Sequence, residues 1–264
     1  MPALSAIFIA YNEQSDLPRA LESLEGIADE IVLVDSGSTD RTVEIARAAG
    51  ARVIQRAFTN FADQKNFAAA QAAHDWVLSL DCDEELSPEL RRSLLAWKFQ
   101  EPSRHGYEIL RLTNYLGGWV RHSGWYPDWI VRVYHRGHGR FAHAIHESVR
   151  VDGPADRLEG RLNHYNVRSY REHLTKIDDF TTIAARELYE GGEHRWRASM
   201  IVAPPYTFFQ RLVLQAGVLD GRRGWLIAWT SARYIWLKYS KLGALLRAGA
   251  AGRKAEPKPQ PKVD

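Results

Sequence analysis

Asp81 and Asp83 close the short apolar run Trp76-Val77-Leu78-Ser79-Leu80. Two carboxylates spaced i, i+2 at the carboxyl end of a strand make a hard, oxygen-rich site, suited to a magnesium or manganese ion that already carries phosphate. That is the chemistry of a bound nucleoside diphosphate. The pair alone is a weak signal, because Asp-x-Asp recurs by chance and often caps a turn, so its surroundings must decide. Cys82, the single cysteine of the chain, sits between the two. It counts among the residues of the site by position, although strand alternation turns its side chain toward the core.

The elements that must position this pair alternate strand and helix, which argues for an α/β fold with a largely parallel sheet. Strands are predicted at Leu4–Ala10, Glu30–Asp35, Arg52–Gln55 and Trp76–Leu80. The helices between them are expected from Asp16 to Leu24, Thr39 to Ala49 under a Ser38 cap, and Asn60 to Ala73; another opens at Ser87-Pro88-Glu89. Polar clusters follow three of the strands: Tyr11-Asn12-Glu13, Asp35 to Asp40, and Asp81 to Glu85. In open α/β sheets ligands bind outside the carboxyl ends of the strands, so the three clusters should share one crevice.

Beyond Tyr107 the texture changes. Strands are predicted at Tyr107–Leu112 and Trp129–Tyr134, a hairpin or loop at Arg150–Arg161, and helix again from near Tyr170 through Leu188. Helices are also expected at Tyr206–Leu219 and Trp225–Arg247, and the Lys-Pro and Glu-Pro run of 249–264 reads as a disordered tail.

The 264 residues carry a net charge of +3, but the charge is uneven: from Arg195 onward there are 13 Lys or Arg against three acids. One cysteine excludes an intramolecular disulfide and suits a reducing compartment. The first ten residues lack the basic start and cleavage site of a signal peptide. No stretch reaches the roughly 18 to 20 apolar residues that span a bilayer, so the chain is expected to be soluble or to lie on a membrane surface. Nucleic acid is not an expected partner, because no recognition motif accompanies the basic excess.

Tyr11-Asn12-Glu13, Asp35-Ser36-Gly37-Ser38-Thr39-Asp40 and Asp81-Cys82-Asp83 together resemble the nucleotide-sugar domain of family 2 glycosyltransferases of the GT-A fold. Gln64-Lys65-Asn66-Phe67, Gly124 to Asp128, Ile145-His146-Glu147, and Leu219-Asp220-Gly221 before Lys238-Tyr239-Ser240-Lys241 resemble a narrower group. These are the bacterial lipopolysaccharide core glucosyltransferases that add a β-linked glucose to an inner-core heptose. The resemblance implies a catalytic domain over 1–165, with a nucleotide-sugar half (1–100) and an acceptor and base half (101–165), then a helical region over 166–248.

The resemblance also implies roles. Ala10, Tyr11, Asn12, Glu13, Asp35, Ser36, Gly37, Ser38, Gln64, Lys65, Asp81 and Cys82 would line the donor site. Asp35 is placed to accept from a uracil N–H, or else only caps its turn. Lys65 would offset diphosphate charge, or else is solvated surface. Asp81, Asp83 and a later histidine, His164, would hold Mg2+ or Mn2+; the other reading of His164 is a hydrogen-bonded loop residue. Inversion in a single displacement needs one general base, with Glu147 the first choice and Asp128 the second. Glu147 could instead salt-bridge an arginine. Many relatives carry an acidic pair where this chain has His146-Glu147. Trp119, Trp125 and Tyr126 would present an apolar face to a sugar ring, with core packing as the plain alternative.

The expected partners are a UDP-glucose donor, a lipid-linked saccharide acceptor and an anionic membrane surface, met peripherally at the cytoplasmic face of a bacterial inner membrane. The apolar stripe of Trp225–Arg247, from Trp225, Ala228 and Trp229 through Ala232, Trp236 and Leu242, either faces that membrane or packs on protein. Two rival readings keep the donor site. In one the acceptor is a polyprenyl phosphate or another polysaccharide precursor; in the other the protein binds nucleotide sugars without catalysis.

Overall fold

The computed structural model describes residues 1–142 and 148–254, the side chains of 249–254 excepted. The chain forms two compact units, one of residues 1–114 and 126–166, the other of 115–125 and 167–264. The first unit opens with β1 (Leu4–Ala10), α1 (Leu17–Ser23), β2 (Glu30–Asp35), α2 (Thr42–Ala48), β3 (Arg52–Gln55), α3 (Phe61–Gln71) and β4 (Trp76–Ser79). Next come β5 (Glu84–Leu86), α4 (Pro88–Lys98) and β6 (Gly106–Tyr115). β7 (Gly118–Trp119) lies in the second unit's insertion, and the first unit resumes with β8 (Asp128–His135), β9 (Gly139–Ala142), β10 (Ser148–Val151) and β11 (Asp156–Val167).

The main sheet runs β3-β2-β1-β4-β8-β6-β11-β5. β1 is parallel to β2 and β4, and β2 to β3, whereas β4 meets β8 and β8 meets β6 antiparallel. β1, β2 and β4 are predominantly apolar because both of their faces are covered. Leu4, Phe8, Leu33, Leu78 and Leu80 fill one side, and Ile7, Val32, Val34 and Val77 the other. At roughly 25 cal/mol per Å² of apolar area, such burial is the main force holding the sheet edge in place.

Some expectations give way to longer-range effects. The helix expected from Thr39 starts at Thr42, because Asp40, not Ser38, satisfies its start: Asp40 Oδ1 accepts from Thr42 N at 2.9 Å. Ser38 spends its hydroxyl on Asp35. The segment expected to be hairpin or loop is instead β10 followed by the 12-residue β11, drawn out because it bridges β6 and β5.

The second unit holds α5 (Tyr170–Glu190), α6 (Trp196–Phe209) and α7 (Arg222–Lys254). α7 packs against both α5 and α6. The helix expected across Tyr206–Leu219 is broken. α6 passes through Pro204 and Pro205, a π-helical turn follows at Gln210–Leu214, Ala216 takes φ 53°, and a 3-10 turn spans Gly217–Asp220. Gly217 and Gly224 are required there, since a Cβ on Gly224 would lie 1.7 Å from the Gly217 carbonyl oxygen. The stripe of α7 divides: Ala228, Ala232 and Leu242 are buried, while Trp225, Trp229 and Trp236 stay exposed. The tail from 255 onward lies outside the described residues.

Candidate functional site

The register brings the three polar clusters to one edge. Ala10 pairs with Asp35 at the ends of β1 and β2, and Ile7 pairs with Ser79, so Asp81 leaves β4 beside them. The first two clusters are knitted together: Asn12, at φ 59°, takes Thr39 N on its Oδ1 at 2.8 Å, and its own N–H donates to Ser38 Oγ at 2.8 Å. Glu13 N donates to Thr42 Oγ1 at 2.7 Å.

Asp35 is fully buried and turned into its own loop, where Oδ2 accepts from Gly37 N and Ser38 N, both at 3.0 Å. It therefore shapes the turn, and its oxygens do not stand open for a base. Tyr11 does, with 59 % of its surface exposed. Ser36 accepts from Gln64 Nε2 at 3.1 Å, and Gln64, fully buried, also holds Arg56.

Asp81 stands between two buried cations. Lys65 Nζ is 2.7 Å from its Oδ1 and an Arg132 Nη is 2.7 Å from its Oδ2. The same guanidinium reaches Glu84 Oε1 at 2.6 Å, and Glu84 Oε2 accepts the Asp81 backbone N–H at 3.0 Å. Burial opposes the charge on Asp81, but Arg132 and then Lys65 outweigh it and hold its carboxyl well below the usual carboxylate range. Lys65 is only 4 % exposed, which removes the solvated-surface reading. Both carboxylate oxygens of Asp81 are thus on cations.

Asp83 differs. Its Oδ2 lies 3.3 Å from His164 Nε2, with its backbone oxygen accepting from Tyr165 N at 2.9 Å. The antiparallel pairing of β11 with β5, His164 opposite Glu84, places the imidazole there. A carboxylate oxygen and an imidazole nitrogen suit a divalent ion whose remaining ligands come from phosphate and water. Among the described residues no group of three or more His, Cys, Asp or Glu could hold a metal ion. Cys82 is 4 % exposed, its Sγ 3.4 Å from the Ile9 carbonyl oxygen, and burial followed by Glu13 pushes its thiol pKa well up. It belongs to the core.

Asp128 is held by Arg111, with Nε and Nη2 both 2.8 Å from its Oδ2. His146 and Glu147 lie outside the described residues. The strand that leads to them is anchored, since Asn66 of α3 clasps Phe141 of β9 from both sides, accepting its N–H at 2.9 Å and donating to its carbonyl at 3.0 Å. Tyr126 falls in the first unit, Trp119 and Trp125 in the second. There Trp125 lies edge-on to Tyr115 at 5.5 Å and packs in a small core, while Trp119 is 37 % exposed.

Arg132 and Arg111 stand outside the motifs quoted above, while Glu84 and Asn66 stand inside two of them without an assigned role. A signal for Arg132 was present, because a lone cation inside Trp129-Ile130-Val131-Arg132-Val133-Tyr134 must find a carboxylate when the strand is buried.

Comparison with known proteins adds an independent line. The family model described as "Glycosyl transferase family 2" matches residues 5–106. The chain is 31% identical over 253 residues to the lipopolysaccharide core biosynthesis glycosyltransferase LpsC of Rhizobium meliloti, covering 90% of this chain and 91% of that protein. It is 31% identical over 205 residues to an uncharacterized glycosyltransferase, RT0209, of Rickettsia typhi, covering 73% and 70%. Among solved structures, it resembles the glucosyl-3-phosphoglycerate synthase of Mycobacterium tuberculosis with a TM-score of 0.37 and 22% identity, over 42% of this chain and 44% of the other.

Proposed function

The chain belongs to glycosyl transferase family 2 and is a glycosyltransferase, and on that premise we propose that it transfers glucose from UDP-glucose to the inner core of a lipopolysaccharide, with inversion. The observation that carries the donor side is the charge arrangement at the sheet edge: Lys65 and Arg132 flanking Asp81, with Asp83 and His164 beside it. The acceptor class rests on the near full-length similarity to a relative whose name assigns it to lipopolysaccharide core biosynthesis.

In this reading Asp83 and His164 hold a magnesium or manganese ion, which would offset the charge gathering on the departing nucleoside diphosphate. Asp81 and Glu84 keep Lys65 and Arg132 in place on the donor side. The Arg132 Nε is buried with no hydrogen-bond partner. Tyr11 offers an exposed ring for the base, and the loop set by Asp35, Ser38 and Asn12 gives the ribose backbone groups to meet. Glu147 takes the acceptor proton, since Asp128 is already committed to Arg111. No covalent nucleophile is needed in a single displacement. Tyr126, in the first unit, receives the acceptor sugar.

The acceptor is a lipid, and the protein meets the cytoplasmic face of the inner membrane from the surface. Among the described residues no helix is long and apolar enough to cross a membrane.

A panel of nucleotide sugars, run with and without a heptose-containing lipid acceptor and with and without chelator, tests the reading by product mass. A hexose added to the acceptor from UDP-glucose, lost in chelator, is the expected result. Transfer that persists unchanged in chelator overturns the metal assignment. Transfer only to a polyprenyl phosphate overturns the acceptor.

A further inference from the structure

The second unit exposes an unusual amount of apolar surface at one break in its helices. Ile201 is 68 %, Val202 66 %, Leu214 63 % and Leu219 69 % exposed, and Trp225 and Trp229 are 52 % and 56 % exposed. Surfaces of this kind on a folded unit mark contact with a partner or a membrane. Beside them lies a groove of about 720 Å³, lined by Pro204, Pro205, Phe208, Trp225 and Trp229, with Arg222 at its edge. The breaks in the helix produce it. Two prolines remove backbone donors from α6, and the π turn with left-handed Ala216 turns the chain back into α7, leaving the Phe208 and Trp225 rings 5.7 Å apart at the groove.

Charge selects the occupant. Residues 195–254 carry eleven Lys or Arg and a single acid, Asp220. That acid is consumed within the unit: Asp220 accepts from Arg121 N and His122 N at 3.0 Å and from Ser123 Oγ at 3.1 Å, and only 5 % of its side chain is exposed. Of these cations Arg222 lines the groove, and no acid of 195–254 other than the enclosed Asp220 offsets it. A protein partner would have to be both apolar and acidic in the same patch. An anionic bilayer supplies hydrocarbon and negative headgroups at a fixed separation, which tryptophan and arginine suit together.

We propose that this groove takes an acyl chain of an anionic phospholipid of the bilayer, with Arg222 on the headgroup phosphate and Trp225 and Trp229 lying at the hydrocarbon boundary. The inference rests on the membrane contact proposed above and specifies where it occurs; it is independent of donor identity. The lipid-facing surface is this groove and the flanking turn, not the whole length of the α7 stripe, half of which is packed.

The test uses the full chain and extruded vesicles of phosphatidylglycerol with phosphatidylethanolamine, compared with phosphatidylcholine alone. The protein should float with the anionic vesicles, and acyl-brominated lipid should quench its tryptophan fluorescence. A Trp225→Ala/Trp229→Ala double variant and Arg222→Gln should each bind at least tenfold more weakly while keeping the wild-type circular dichroism. Phe99→Ala, at a 74 % exposed site on the first unit, should bind as wild type. Equal binding to neutral and anionic vesicles, wild-type binding by the double variant, or self-association through Trp229 without flotation overturns the proposal. Donor hydrolysis is read on the same samples: a protein that floats but turns over no sugar nucleotide refutes the transferase reading and leaves the lipid contact standing.

Discussion

His164 Nε2 lies 3.3 Å from Asp83 Oδ2, although 81 positions separate the two residues, because β11 runs antiparallel to β5 with His164 opposite Glu84. Two residues earlier in the chain, Asp81 is enclosed by Lys65 and Arg132 instead. The i, i+2 pair is thus divided, one carboxylate facing an imidazole and the other facing two cations.

That division predicts different outcomes at the two aspartates. Asp83→Asn and His164→Ala should each lower metal-dependent turnover by about 100-fold or more, since several kcal/mol of charge stabilisation is at stake. The folded state should persist. Titrating Mg2+ or Mn2+ against initial rate checks this, and a variant at either position with wild-type metal dependence would remove the pair from the metal site.

Asp81→Asn should act first on stability. It leaves Lys65 and Arg132 buried with less compensation, a loss of about 3–5 kcal/mol by analogy with broken buried pairs. Lys65→Met alone should also destabilise the fold, and the double variant should be less unstable than the sum of the two. Urea unfolding of the four proteins measures the coupling. Additive losses would show that the contact contributes nothing as a pair.

Asp220 fixes the loop that carries Trp119 and Trp125, through hydrogen bonds to Arg121 N, His122 N and Ser123 Oγ. Asp220→Ala should cost about 2–4 kcal/mol, because bonds to a charged acceptor are among the stronger ones. Amide exchange at Arg121 and His122 should speed up markedly. If acceptor KM rises while donor hydrolysis stays unchanged, the loop serves the acceptor; unchanged KM would count against that role.

His173 sets a pH dependence. Its Nδ1 is 2.8 Å from the Tyr115 hydroxyl, and burial, then Lys176, hold its pKa below the ordinary 6.5. The unfolded chain therefore takes up the proton first as pH falls. Stability from this site is full above about pH 6.5 and declines below it, toward the depressed folded value. Burial pushes the Tyr115 phenol up to about 12, so it does not titrate in this range. Melting temperatures from pH 7.5 to 5 should fall more steeply for wild type than for His173→Gln; parallel curves would exclude His173 as the source.

The base is tested by exchange of roles. Glu147→Gln should abolish transfer while Asp128→Asn, which releases Arg111 from its 2.8 Å contact, should reduce it less. The reverse pattern would move the base to Asp128. Removal of a general base costs about 100-fold or more.

The sequence by itself determined the alternation of strands and helices in the first hundred residues, and with it the meeting of three polar clusters at one sheet edge. Local patterning suffices there: continuous apolar strands, a capping Asn60 or Ser87, and polar residues at each strand end are all read within a few positions. The roles inside the clusters were not legible in the same way. Whether Asp35 meets a ligand or its own turn depends on where Gly37 N and Ser38 N point, and Lys65 is buried only because Asp81 arrives beside it. Arg132 and His164 come from antiparallel strands whose register is a tertiary property, set by packing across the sheet and by no nearby residue. The same holds for 115–125, which joins the second unit through Asp220 and Arg223, about a hundred residues away. Local interactions select the elements; long-range pairing of charges, which is worth little until both partners are desolvated together, decides what the site residues do.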